Sequence, residues 1–179
     1  MDPDDRTFPP IAADEVTTLR AYLDYHRDTL RWKADGLTQE QLALTLAPST
    51  MTLGGLVKHM ALVESNWFEV VLVGEELMMP PFDVVDWDAD RDWDWHSAAA
   101  DTPEQLAAVF DEAIRRSDAI IEAALTGPDG LDTASKRLSR RTDEPYSLRW
   151  IILHMIEEYA RHNGHADLIR ESIDGQVGD

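Results

Sequence analysis

The stretch SLRWIILHMIEEYARHNGHADLIRES, residues 147–172, repeats apolar residues every three to four positions along its whole length. Ile151, Ile152, Met155, Ile156, Tyr159, Ala166 and Ile169 form one stripe, which predicts a single long amphipathic helix. Its second half, EEYARHNGHADLI (157–169), threads imidazole and carboxylate into that stripe. His154, His162 and His165 are three of the six histidines in the chain, and Glu158 stands four residues ahead of His162. At about 100° per residue, with Glu158 at zero, His162 lies at roughly +40°, His165 at about −20° and His154 at about −40°. The apolar stripe centres near about +80°, so His162 sits within it and Glu158 at its border. His165 and His154 lie progressively further round, towards Arg161 and Glu157.

A lone histidine on an apolar face is ordinarily a satisfied core or boundary side chain. A glutamate beside it alters the weighing, because a buried carboxylate is costly unless it is paired or ligates a cation. Glu and His at i, i+4 stand about 5–6 Å apart at their Cβ atoms, a spacing that suits gripping one ion. The same spacing also occurs on solvated helix faces.

Three more helical patterns surround this one. The first runs from about Ala13 to Lys33, with Val16, Leu19, Tyr22, Leu23, His26 and Leu30 on one face and Gly36 as the stop. QEQLALTLAP reads as a short helical bridge. The second long helix spans about Thr52 to Val73, closed by Gly74; the third opens on Thr102, Pro103 and Gln105, a capping box, and ends near Leu125. Residues 127–147 have room for a short irregular hairpin at most. Four helices of about 20 residues sharing one core predict an all-α, four-helix bundle. A single domain over 1–179 is expected, with 1–12 and 174–179 as loose tails.

The connection 75–101 is long enough to cross the bundle. Its core, PPFDVVDWDADRDWDWH, sets Trp87, Trp93 and Trp95 among six aspartates. No glycine or closing glutamate falls where an EF-hand needs it. Two readings stay open: an acidic surface loop pinned by its tryptophans, or a lid over a pocket.

Composition narrows the chemistry. The 179 residues carry a net charge of −19, which repels phosphate backbones and anionic membrane surfaces; neither nucleic acid nor membrane is expected as a partner. No apolar run reaches membrane-spanning length, and the acidic, proline-rich start is no secretory signal, so a cytoplasmic location is expected. There is no cysteine, so thiolate ligands, disulfides and a cysteine nucleophile are excluded together. Any metal must be held by nitrogen and oxygen. A third ligand beside Glu158 and His162 must come from another helix, and His59 in LGGLVKHMALVE points towards the interior on its own helix. Gly54 and Gly55 would let neighbouring backbone approach there. His26 is a rival for the interior position, and His96 reads as exposed. A His₂Glu set with an open position would be catalytic rather than structural, with zinc, nickel, iron(II) or manganese(II) as ions.

MTLGGLVKHMALVESNWFEVVLVGE (51–75), YSLRWIILHMIEEYARHNGHADLIRESIDG (146–175) and LDYHRDTLRWKADGLTQEQL (23–42) resemble the DinB-like superfamily. The likeness is to its actinobacterial "mini-circle protein" or domain-of-unknown-function branch, related to mycothiol-dependent maleylpyruvate isomerase and to thiol S-transferases. The resemblance implies up-down-down-up topology with a long crossover between the second and third helices. It also implies a divalent metal, zinc foremost, on His59, Glu158 and His162. Many members carry His-x-x-x-His where this chain has Glu158 and His162; the isomerase carries the same His, Glu, His set. His154, His165 and Arg161 fall around that triad as substrate-contacting or ligand-orienting residues.

The resemblance further implies transfer of a low-molecular-weight thiol, mycothiol foremost, to an electrophilic small molecule. Metal-activated water would make the same ligands a hydrolase, and a non-catalytic metal-binding or stress-response module is the third alternative. Whether the chain is an enzyme stays open at this point, as does a homodimer, common in the family. Arg149, Arg161 and the loop tryptophans are candidates for the thiol's contacts.

Overall fold

The computed structural model describes residues 6–178. The end residues of both expected tails therefore lie outside the described residues. Helices dominate: α1 (Glu15–Ala34), α2 (Gln39–Leu42), α3 (Leu53–Ser65), α4 (Trp93–Ser97), α5 (Pro103–Thr126) and α6 (Leu148–Asp174), with two short strands, β1 (Ala134–Leu138) and β2 (Pro145–Ser147). Each long helix starts where a side chain accepts from an otherwise unpaired backbone N–H: Asp14 for α1, Thr52 for α3, Thr102 for α5 and Ser147 for α6. Thr102 and Gln105 form the reciprocal capping box, with Pro103 as first helical residue.

Helix α1 packs along α6 and α3 along α5, while α3 also touches α1 and α6. Leu23, Leu30, Leu56, Met60, Phe110, Ile121, Ile152 and Met155 fill the space between them. No helix among the described residues is long and apolar enough to cross a membrane.

The second helical pattern, Thr52 to Val73, is two conformations rather than one. After Ser65 the chain continues as a π-helix, Asn66–Val73, ended by Gly74 in the left-handed region. The hydrophobic period does not distinguish a wider turn from an ordinary one, whereas the bond from the Gly74 N–H to the Glu69 carbonyl, five residues back, does. Phe68 and Leu72 stay in the core, while Trp67 reaches His154 and Trp150 of α6. The hairpin expected at most in 127–147 is present: β1 and β2 pair antiparallel with an irregularity in register. Strand β1 packs on the π segment so closely that a Cβ on Gly74 would stand 2.8 Å from that of Lys136.

Candidate metal and substrate site

The helical stripe does bring Glu158 and His162 to the interior side of α6. His162 is buried and Glu158 is mostly covered; His162 Nε2 lies 3.5 Å from Glu158 Oε2. From α3, the His59 ring meets the His162 ring edge-on at 5.1 Å between centroids. His59 and His162 thus face each other between α3 and α6, with Glu158 beside His162. His165 stands next to them, its ring 5.6 Å from that of His162. His26 does not join: its backbone carbonyl accepts from the Asn163 side chain. His96 is exposed and paired with Asp90.

His59 is held by a residue that the sequence pattern did not single out. Its Nδ1 lies 2.7 Å from Asp94 Oδ2, and Asp94 is buried in α4, inside the acidic loop. A carboxylate accepts, so His59 Nδ1 donates to Asp94, a contact of the kind that orients a metal-ligating imidazole. Trp95 stacks on the His59 ring, at 4.8 Å and 28°. Gly55 makes room for it: a Cβ there would stand 2.7 Å from the Trp95 ring. What approaches Gly55 is therefore an indole, not backbone; beside Gly54, the Leu42 carbonyl does come close. The loop is neither plain surface nor separate from the site. The signal for Asp94 was present in DWDWH, where a carboxylate between two tryptophans is carried inward by their burial.

Burial lowers the His162 pKa to about 4, with the His59, His165 and Arg161 charges adding to it. The ring is therefore neutral at pH 7, the form that donates a lone pair to a cation. The Nδ1 atoms of His162 and His165 are buried and have no hydrogen-bond partner. Buried nitrogen without a partner is uncommon in a protein interior and is expected where function needs it. The donors here are nitrogen and carboxylate oxygen, a set that suits zinc and other first-row divalent ions. The donor types suit such an ion.

Among the described residues, the group of three whose ligand atoms do come close together is a different one, which shares Glu158. His154, Glu157 and Glu158 offer ligand atoms all within 4.8 Å of one another. His154 Nε2 is 3.7 Å from Glu158 Oε1 and its Nδ1 is 3.3 Å from Glu157 Oε2. Glu157 is exposed and also holds Arg161 at 2.5 Å, so this set is the more solvated of the two. Glu158 belongs to both. Arg149 is engaged elsewhere, by Glu15 and Asp132.

Aromatic rings surround His154. His154 stacks on Trp150 at 5.0 Å and meets Trp67 edge-on at 4.7 Å, and Tyr146 contacts both tryptophans. With this geometry in view, comparison with known proteins is informative. The sequence model of the family described as mycothiol-S-transferase matches residues 18–175. No curated protein matches the chain.

Proposed function

The chain belongs to the mycothiol S-transferase family, and from that premise we propose that it joins a mycothiol-like thiol to an electrophilic small molecule at a divalent-metal site formed by His59, Glu158 and His162. The observation that carries this reading is the pair of prepared imidazoles. His59 Nδ1 is held by Asp94 with Nε2 left unengaged by it, and burial keeps His162 neutral beside the Glu158 carboxylate.

A divalent cation, when bound, favours the thiolate over the thiol, the form that acts as nucleophile. The protein's own residues do the rest. Asp94 holds His59 at its Nδ1 edge and Trp95 at its ring face. Glu158 supplies negative charge between His162 and His154. His154, flanked by Glu157 and Glu158, is placed to carry the thiol's proton outward. The sulfur's electron pair forms a carbon–sulfur bond with the acceptor, and a leaving group departs with its own pair or a proton is taken up. In this reading the four long helices are a DinB-like four-helix bundle of up-down-down-up topology forming one domain, in a cytoplasmic protein for which a homodimer is the family's common assembly.

The test is elemental analysis of tag-free protein beside His162→Ala, then assay of thiol transfer from mycothiol to monochlorobimane. About one divalent ion per chain, lost in the variant, with transfer that follows metal content, is the expected outcome. Absence of bound metal after incubation with excess zinc or nickel would overturn the proposal. A tight metal site without thiol transfer would leave a binding module.

A further inference from the structure

Between the π segment and the β1–β2 hairpin lies a groove of about 480 Å³, outside the imidazole cluster. Trp67 and Tyr146 supply its flat apolar walls, and Arg137, Arg140 and Arg141 its charge. The three guanidiniums sit together in a chain of net charge −19. Elsewhere arginines are spent on carboxylates: Arg20, Arg27, Arg31, Arg116 and Arg149 each hold at least one. Among the described residues, no carboxylate ion-pairs with Arg137, Arg140 or Arg141. Arg137 is oriented by two backbone carbonyls instead, those of Val70 at 3.3 Å and Glu75 at 2.9 Å. Neutral acceptors position a guanidinium without neutralising it.

The groove and the cluster share a wall. The Trp67 ring stands 5.2 Å from Tyr146 on the groove side and 4.7 Å from His154 on the cluster side. His154 in turn lies 3.7 Å from Glu158. A flat molecule resting against Trp67 would have one end among the guanidiniums and the other towards the imidazoles.

We propose that this groove binds the anionic group of a planar, unsaturated organic acid, and that such an acid is the acceptor in the transfer reaction. The second half rests on the proposed function; the first does not. A thiol's own developing charge is on sulfur and is needed at the imidazole–carboxylate cluster, so a separate cationic locus serves the other substrate. Guanidinium recognises carboxylate or sulfonate through paired N–H donors, and the indole and phenol faces receive the ring.

The probe pair is 2-naphthoate and 2-naphthamide, equal in shape and different in charge, titrated against the full chain by tryptophan fluorescence and equilibrium dialysis. Naphthoate should bind about tenfold tighter than the amide, the size of one or two charge-assisted hydrogen bonds, and the preference should shrink with added salt. Arg140→Gln/Arg141→Gln should abolish most of the preference while leaving the amide's affinity in place. That variant spares Arg137, whose bonds brace the hairpin. His162→Ala should keep the preference, since the groove does not depend on the metal site. Equal binding of acid and amide by the unmodified protein would overturn the proposal, as would a preference that survives in the double variant. For the acceptor role, a conjugated acid and its amide are compared as substrates: a higher KM for the amide, equalised in the double variant, is expected, and equal KM values in the unmodified protein would overturn that role. If thiol transfer is absent while naphthoate still binds through the arginines, the transfer reading fails and the anion site stands.

Discussion

Two polar clusters lie along the same helices and differ in every respect that matters. One is the knot of Arg27, Glu64 and Tyr159. The Arg27 guanidinium grips Glu64 with two bonds, Nε at 2.8 Å and Nη2 at 2.9 Å, and the Tyr159 hydroxyl donates to the same carboxylate at 2.8 Å. All three are essentially fully buried. Burial would lower the Arg27 pKa, yet Glu64, Tyr159 and Asp118 together outweigh it and hold it well above its usual value; burial raises the Tyr159 hydroxyl likewise. The other cluster is His59, Glu158 and His162, from the same α3 and α6. Its His59 and Glu158 are only partly covered, its closest imidazole–carboxylate approach from Glu158 is 3.5 Å, and His162 Nδ1 has no partner. The knot is saturated and ties α1, α3 and α6 together. The imidazole cluster is left short of partners, which costs stability and leaves lone pairs for a ligand.

Removing one member of the knot should give the largest effect. Glu64→Gln takes the buried charge from Arg27 Nε and Nη2, leaving Asp24 and Asp118 on Nη1, and should cost about 3 kcal/mol in urea unfolding. A loss below about 1 kcal/mol would break the contrast, because the knot would then be as dispensable as a surface pair. Asp94→Asn should leave stability nearly unchanged and weaken zinc affinity by about 10–100-fold, measured by competition with a chelating dye. Unaltered affinity would remove Asp94 from the site. Gly55→Ala forces its new Cβ against Trp95; about 1–3 kcal/mol of destabilisation and a shifted tryptophan emission are expected. The smallest change is the sharpest test. In metal-free protein His162→Leu should cost less than about 1 kcal/mol, or stabilise, because it removes a nitrogen that had no partner. A loss as large as that of Glu64→Gln would mean that the imidazole cluster is structural after all.

Much of this was legible in one dimension. The 3.6-residue period placed the long helices within a few residues of their observed ends, since caps such as Thr102, Pro103 and Gln105 act locally. The same period put His162 on the interior face of α6 and Glu158 at its border, where the structure has them. It also carried Tyr159 among the apolar positions, but gave no hint that its hydroxyl meets Glu64, because Glu64 reads as an ordinary polar residue of α3.

Composition by itself determined the charge, the absence of thiols and hence the nitrogen–oxygen character of any metal site. Local pattern determined the helices and the interior stripe of α6, because each depends on neighbours a turn away. Only tertiary structure decided which long-range partners meet. Asp94 reaches His59 across 35 positions, Glu64 reaches Arg27 across 37 and Tyr159 across 95. Trp95 lies on Gly55, and three arginines of the hairpin come to rest beside Trp67. A carboxylate, an indole or a guanidinium carries no mark of its partner along the chain. Its role appears when packing removes water from around it and leaves one set of neighbours to satisfy it.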